Sequence, residues 1–600
     1  MSLFGLEIGK RSIMAQQTAL EVTGHNLANA NTPGYTRQIP NLVTTRPYHT
    51  PALISSGKVG QLGTGVMVSD IQRIRDAFLD EQIRNESKTS GYWNARQNAL
   101  AKVEVILNEP SNDGLRAVMD MYWESWQDLV AHPESEAVRT TVAERGAALA
   151  DAFNHMHTQL KELRDDLNAS VKIKVDEINV ISGQIADLNL QIQSIKIAGK
   201  QPNDLEDQRD LLIDQLSQIV DIKTYTDSNG MVAVQMGGRA LVQGNQSSKL
   251  TTKQDNQGMH MVIWADTKTR AVIESGELKG LLDDRGKTDL SEDKGQYLET
   301  VPNLIDNLNK LAKTIVIKTN ELHRGGYSLN NPNGALPDGI NFFNAPADPD
   351  SITDWAQFIK VNNDILKDPK NIAAAAQPTL DAVTGEKINF GDGSIAMAIA
   401  NLKHDLNSEM RTIKSGDMSG QFTGTLPVNI TQSFDITYGG TTHTINIAAD
   451  VSNLNELAQA VQDALNNEGL DLKVSLDGSY MMLSTKSNSP VSVSGFWGTT
   501  GNLSVSSYDL VSNATTDDYW RSICAEVGVK SQEAVRMVKN QEVLLSQLES
   551  KRQSISGVSL DEEITNMIKF QHAYNAASRF ITTMDEAIDV IVNRMGLVGR

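Results

Sequence analysis

Apolar residues recur every seven positions at both ends of this 600-residue chain, and that recurrence limits what the ends can fold into. Met567, Tyr574, Ile581, Ile588 and Met595 form one series, and Phe570, Ala577, Met584, Ile591 and Val598 form another three residues later. These are the a and d positions of a seam along which one helix packs on another. Ser559 followed by Glu562 has the capping-box pattern that ties off backbone donors just before the stripe begins. At the other end Leu6, Ile13, Leu20 and Leu27 show the same recurrence, with Met14 and Val22 widening the stripe. It stops at Pro33-Gly34, a breaker and turn signal. Most amphipathic stripes are ordinary core contacts within one domain. Here nearly the whole chain lies between the two, so the pattern predicts one layer made from both ends, with everything else looped out.

Six hundred residues exceed what one core organises, so several modules are expected. A formal charge of −20 repels phosphate backbones, which excludes nucleic acid as an expected partner. The single cysteine, Cys524, excludes an intrachain disulfide and a cysteine-based zinc site. Lys10 and Arg11 are not followed by the apolar stretch and cleavage pattern of a secretory signal. No apolar run is long enough to insert in a membrane.

The periodicities predict a multi-domain chain with an α-helical coiled-coil terminal layer, a long helical bundle, and inserted β-rich and α+β outer domains. The terminal layer takes residues 1–62 with 556–600. A rod-like helical bundle takes 63–220 with 296–324 and 515–555, its stripe running from Val138 through Leu149, Leu163 and Ile178 to Ile195. Residues 221–295 read as a β-rich insertion, with turns at Asn229-Gly230 and Gly237-Gly238. Residues 325–424 read as a loop-rich outer region, and 425–514 as an inserted α+β module, exposed and removable.

No catalytic, cofactor or metal site emerges. Gly286-Lys287-Thr288 resembles the end of a phosphate loop, but the earlier glycine such a loop needs is Leu281, with Gly280 one residue too early. His155 and His157 lie two apart on a helix and so face different sides. The glycines at 57, 60, 63 and 65 precede a strand, where a dinucleotide loop would follow one. Asp348, Asp350 and Asp354 read as a solvated loop.

The motif NLANANTPGYTRQ, Asn26 to Gln38, closely resembles the signature of the flagellar rod, hook and hook-associated axial proteins. GTGVMVSDIQRIRDAFLDEQIR (Gly63 to Arg84), DQRDLLIDQLSQIV (Asp207 to Val220) and GGRALVQG (Gly237 to Gly244) are similar to segments of its hook-associated members. So is SISGVSLDEEITNMIKFQHAYNAASRFITTMDEAIDVI, Ser554 to Ile591. The 425–514 module is instead similar to one seen in flagellins. The resemblance implies a non-enzymatic structural subunit of the hook–filament junction, secreted through the flagellar type III channel and assembled as a helical tube in motile bacteria. It implies as partners further copies of itself, hook protein, a second junction protein, and a cytoplasmic export chaperone masking the C-terminal segment. The assembly interface expected from the seams is Leu6, Ile13, Leu20, Leu27, Met567, Phe570, Tyr574, Ala577, Ile581, Met584, Ile588, Ile591 and Met595. The alternative is a surface adhesin, with binding carried by the 425–514 insertion.

Overall fold

The computed structural model describes residues 4–46, 63–111, 114–293, 297–331, 338–346, 351–380, 386, 388–389, 391–405, 411–415, 418, 427–438, 441–470, 472–477, 480–485, 491–497, 499–502, 504–505, 510–511 and 514–590. Helix α1 (Phe4–Ala28) precedes an antiparallel pair, β1 (Gln38–Thr44) and β2 (Val66–Arg73), and helices α2 (Ala77–Leu107), α3 (Leu115–Ala131), α4 (Glu136–Ile197) and α5 (Asn203–Ile219). Strands β3 (Lys223–Thr226), β4 (Val232–Met236), β5 (Arg239–Gln243), β6 (Gln246–Ser247), β7 (Leu250–Gln254) and β8 (His260–Trp264) follow. Next come helices α6 (Glu277–Arg285), α7 (Thr300–Arg324), α8 (Trp355–Phe358), α9 (Asn363–Lys367) and α10 (Ser394–Asn401). The inserted module runs β9 (Arg411–Lys414), β10 (Val428–Tyr438), β11 (Thr441–Val451), α11 (Leu454–Asn467), β12 (Lys473–Asp477), β13 (Tyr480–Thr485), β14 (Val491–Phe496), β15 (Thr499–Asn502) and β16 (Ser504–Val505). Helices α12 (Thr516–Ser556) and α13 (Leu560–Asp589) close the chain.

The chain divides into two compact units, one of Met1–Ala99, Asp165–Leu298 and Gln532–Arg600, the other of Leu100–Arg164 and Glu299–Ser531. The bundle expected over 63–220, 296–324 and 515–555 is therefore shared between them. Periodicity detects a helix without showing which unit each stretch of it serves, and α4 and α12 run for 62 and 41 residues.

In the first unit α4 holds the β-rich segment through asparagines. Asn179 Nδ2 donates to Leu250 O at 2.8 Å, and its Oδ1 accepts from Leu250 N at 2.8 Å. Three turns on, Asn189 does the same with Val232, at 2.8 Å and 3.0 Å, and also donates to Gly244 O. Each carboxamide replaces a strand neighbour for an edge residue whose backbone groups would otherwise be buried unpaired.

The second unit is built around aromatic side chains. Tyr122 and Trp126 of α3 pack on Phe342 and Phe343, with ring centroids 5.2 Å apart for Trp126 and Phe342. Phe342 and Phe343 are fully buried, and Asn320 of α7 pairs both backbone groups of Phe343 at 2.8 Å. The loop-rich stretch is thus not wholly outer. Its Asn, Pro and Gly content marks irregular backbone correctly, but two adjacent phenylalanines are enough to draw such backbone into a core.

The inserted module has its own core, with Phe434, Ile436, Ile445, Leu457, Val461, Met481, Leu483 and Phe496 all buried together. Its sheets have orders β11-β10-β14-β15 and β12-β13-β9-β16. Strand β9 pairs with β13 and β16, so the module begins upstream of residue 425, at a four-residue strand too short to show a pattern.

His323 supplies a pH dependence. Fully buried beside Trp126 and Phe342, it donates from Nδ1 to Ile340 O at 2.7 Å and accepts the Ala373 N–H at Nε2 at 2.9 Å. Burial, opposed by the Ile340 carbonyl and assisted by Arg139, pushes its pKa down to about 4 from 6.5. The unfolded chain therefore takes up a proton below 6.5 that the folded unit refuses, so stability is full above that value and falls towards pH 4. The loss is about 3 kcal/mol at 1.36 kcal/mol per pKa unit. Hydrogen exchange of α3 and α7 should accelerate progressively between pH 6.5 and 4 after correction for intrinsic rates. A His323→Gln variant, less stable throughout, should lack that extra slope, and equal slopes would mean another group is responsible.

Candidate assembly site

Helices α1 and α13 pack against each other, bringing the two ends of the chain together in the first unit. Met567, Phe570, Tyr574, Ile581, Met584 and Ile588 are half-buried along one side of α13, with Ala577 buried among them. Ile591 and Met595 lie outside the described residues. On α1 the expected residues Leu6, Ile13, Leu20 and Leu27 are only half-buried, and the buried face is Gly9, Ala15, Ala19, Val22 and Asn26. The difference has a steric cause. A methyl group at Gly9 would lie 2.5 Å from Ile581 Cγ1, and one at Gly5 would lie 2.5 Å from Met584 Cε. The bulky residues of α13 sit over small residues of α1, a complementarity invisible to a search for large apolar residues.

Below this pair the N-terminal motif forms a polar joint. Asn26 Nδ2 donates to Gln38 O at 2.8 Å and its Oδ1 accepts from Gln38 N at 3.0 Å, which folds the chain back after the Gly34 turn (φ 78°). The same amide donates to Glu563 Oε2 at 3.0 Å, and Tyr35 O–H donates to Asn26 Oδ1 at 2.8 Å. Arg37 pairs with Glu563 at 2.8 Å and Glu562 at 2.6 Å, while its N–H donates to Ser556 O at 2.9 Å. That last bond satisfies a carbonyl at the end of α12. Ser559 then caps α13 through Glu562 N at 3.5 Å.

The joint rests on α5, where Asp207, Asp210 and Asp214 fall three and four residues apart on one helical face. Arg73 and Arg75, alternating at the end of β2, both reach that face. Arg73 binds Asp207 at 2.7 Å, Asp210 at 3.0 Å and Glu206 at 2.8 Å, and Arg75 binds Asp80 at 2.5 Å and Asp210 at 3.2 Å. Asp214 joins Arg84 of α2 at 2.7 Å and Arg552 of α12 at 2.9 Å. Thr36 N donates to Asp207 at 2.9 Å and Gln38 Nε2 to Asp204 at 2.8 Å. Burial works against the Asp210 carboxylate, but Arg75 and Arg73 outweigh it and hold the pKa below the ordinary value. At Asp207 burial wins over the Thr36 and Arg73 bonds and raises it. Reading by motif registered these segments one at a time. That their arginines and aspartates meet is legible only from the i, i+3, i+7 spacing on α5 matched to the strand alternation at Arg73 and Arg75.

The remaining polar motifs lead elsewhere. Gly286 ends α6 instead of opening a helix, which is the wrong geometry for a phosphate loop. His157 is buried near Asp354 at 3.7 Å, and Asp348 and Asp350 lie outside the described residues. Among the described residues no three His, Cys, Asp or Glu side chains gather as a metal site, and no helix is long and apolar enough to cross a membrane.

Models of three flagellar families match the chain: basal body rod protein over residues 6–36, hook-associated protein FlgK helical domain over 100–343, and the C-terminal region of basal body rod FlgEFG proteins over 549–595. The two end matches fall on the paired helices and their joint, which defines the chain as a flagellar axial protein of the rod and hook class. Flagellar hook-associated protein 1 of Bacillus subtilis is 29% identical over 621 aligned residues, spanning 100% of this chain and 99% of that protein. Its counterpart in Escherichia coli is 26% identical, with 96% and 97% covered. These likenesses run the length of the chain and support a structural flagellar role, the chain being similar throughout to flagellar hook-associated protein 1. The flagellar hook junction protein FlgK from Burkholderia pseudomallei matches in structure with a TM-score of 0.47 at 16% identity, covering 79% of this chain and 100% of that one. Nothing in these likenesses supports the adhesin alternative for the insertion.

Proposed function

We propose that this chain is a junction subunit between hook and filament, exported through the flagellar type III channel and assembled as a helical tube by packing its α1–α13 pairs side by side. It has no catalytic role. Its neighbours are further copies of itself, hook protein and the second junction protein, and before export a cytoplasmic chaperone covers the C-terminal segment. The observation that carries this reading is an apolar stripe left uncovered on the flank of α13. Leu560, Ile564 and Ile568 follow at four-residue steps and are 51%, 46% and 50% exposed. A helix already packed on one side, with a second apolar stripe beside the first, is suited to a further helix from a neighbouring copy.

Ile568→Asp tests the reading without disturbing the folded chain, because Ile568 faces solvent in the single subunit. A carboxylate trapped in a packed contact costs several kcal/mol, and each 1.4 kcal/mol is about tenfold in association. The variant should be secreted into the medium, be missing from isolated flagella and leave cells non-motile. Normal incorporation would sink the assembly reading.

A further inference from the structure

We propose that neighbouring copies of this chain meet through a second contact, in which the acidic outer face of α4 in one copy packs on the basic outer face of α12 in the next. The proposal rests on the assembly reading above and adds a pair of surfaces away from α1 and α13.

Both faces belong to the first unit and both point to solvent. On α4, Ile173 and Val180 are 63% and 60% exposed, seven residues apart on one face. Asp176 and Glu177 lie between them, and Asp187 continues the row. On α12, Val535 and Val543 are 47% and 51% exposed, with Arg536 and Lys539 between them. Glu177 is paired with Lys174 on its own helix. Asp176, Asp187, Arg536 and Lys539 have no ion-pair partner among the described residues. Lys172 lies on the flank of the α4 face, and Glu542, three residues from Lys539, lies on the α12 face opposite Arg536, which leaves that face two cations to one carboxylate.

The patterns match in form and oppose in charge. Each is apolar, charged, apolar, with branched residues about 10 Å apart on α4 and 12 Å apart on α12 at 1.5 Å per residue. Aligning the branched residues puts Lys539 opposite the Asp176–Glu177 pair whether the helices run parallel or antiparallel. Two different faces on one chain make a head-to-tail contact, which closes into a ring or continues as a helix. A face that bonded to itself would instead stop at a dimer. Exposed charges alone contribute little, so their role is to set register and choice of neighbour, while the branched residues supply the buried area.

Disulfide trapping in isolated flagella tests the contact. Cells lacking the native chain would carry Asp176→Cys with Lys539→Cys, with Cys524 replaced by serine. Mild oxidation should give a reducible ladder of dimers and larger multimers, and either single cysteine should give monomer. Monomer alone from flagella that contain the double variant would overturn the α4–α12 contact, as would multimers from a single cysteine. Absence of the unsubstituted chain from isolated flagella would overturn the assembly reading instead. Charge exchange supplies an independent arm. Asp176→Lys or Lys539→Asp should each reduce filament retention under shear by about threefold to tenfold, and the two together should restore it. No recovery in the double exchange, with both chains incorporated, would also overturn the contact.

Discussion

Gly9→Leu is expected to abolish swimming while leaving the second unit folded. A single added methyl group at Gly9 would already lie 2.5 Å from Ile581 Cγ1 and 3.3 Å from Phe580 Cδ1. Four added carbons have no room there, so α1 must move off α13. Overpacking of this kind costs about 1 to 3 kcal/mol, and the displaced helices also lose contacts of Ile581 and its neighbours. Helix propensity acts in the opposite direction, since leaving glycine gains about 0.8 to 1 kcal/mol in a helix interior. Gly24 separates the two effects, because nothing lies within 4 Å of a methyl group added there. Gly24→Ala should therefore be neutral or slightly stabilising in the same helix. Swimming assays with immunoblots of isolated flagella would measure both. Wild-type swimming by Gly9→Leu would mean that the α1–α13 pair seen in the single chain is not the one used in the polymer.

That contrast also shows what the sequence makes legible. On α13 seven-residue recurrence picks out the half-buried side, because that side is built from large side chains that stand out against polar neighbours. On α1 it picks out Leu6, Ile13, Leu20 and Leu27, which are half-buried beside the fully buried face. Of the apolar residues on that buried face only Val22 belongs to the expected stripe, because Gly9, Ala15 and Ala19 are small and carry no periodic signal by hydrophobicity. The asparagines are a second case. Asn26, Asn179, Asn189 and Asn320 each satisfy both backbone groups of one residue elsewhere in the chain. Read alone, an asparagine in a helix is a weak helix former, and its partner is fixed only by tertiary structure. Motif resemblance succeeded for a physical reason. Within the segment Asn26 to Gln38, Asn26, Thr36, Arg37 and Gln38 bond to α5, α12 or α13, and Asn29, Thr32 and Tyr35 bond within the segment or to His25 just before it, so its sequence is constrained at many positions.

Asp210→Ala should open the joint. Asp210 accepts from Arg73 at 3.0 Å and Arg75 at 3.2 Å and lies 4.0 Å from Arg84. Its removal leaves these guanidinium groups crowded together with one carboxylate fewer and little water to replace it. Breaking a buried ion pair from one side costs about 3 to 5 kcal/mol. The exposed pair of Lys530 and Glu526, at 2.6 Å, is worth under about 1 kcal/mol, so Lys530→Ala is the matched control. Since the chain has two units, one unfolding midpoint is not a faithful measure. Hydrogen exchange at Leu211, Ile213 and Leu216 of α5 reports the joint directly. At about 1.4 kcal/mol per tenfold, those amides should exchange at least about 100-fold faster in Asp210→Ala, and α3 of the second unit should be unchanged. The sign of the pH response follows from the depressed carboxyl. Asp210 stabilises the fold above the ordinary carboxylate pKa of 3.8, and that contribution is lost as pH falls through its lower folded value. The variant should lack this part of the acid response. Protection of α5 equal to the parent would show that neighbouring acids take over the arginines, and that the joint is a redundant network in which Asp210 is replaceable.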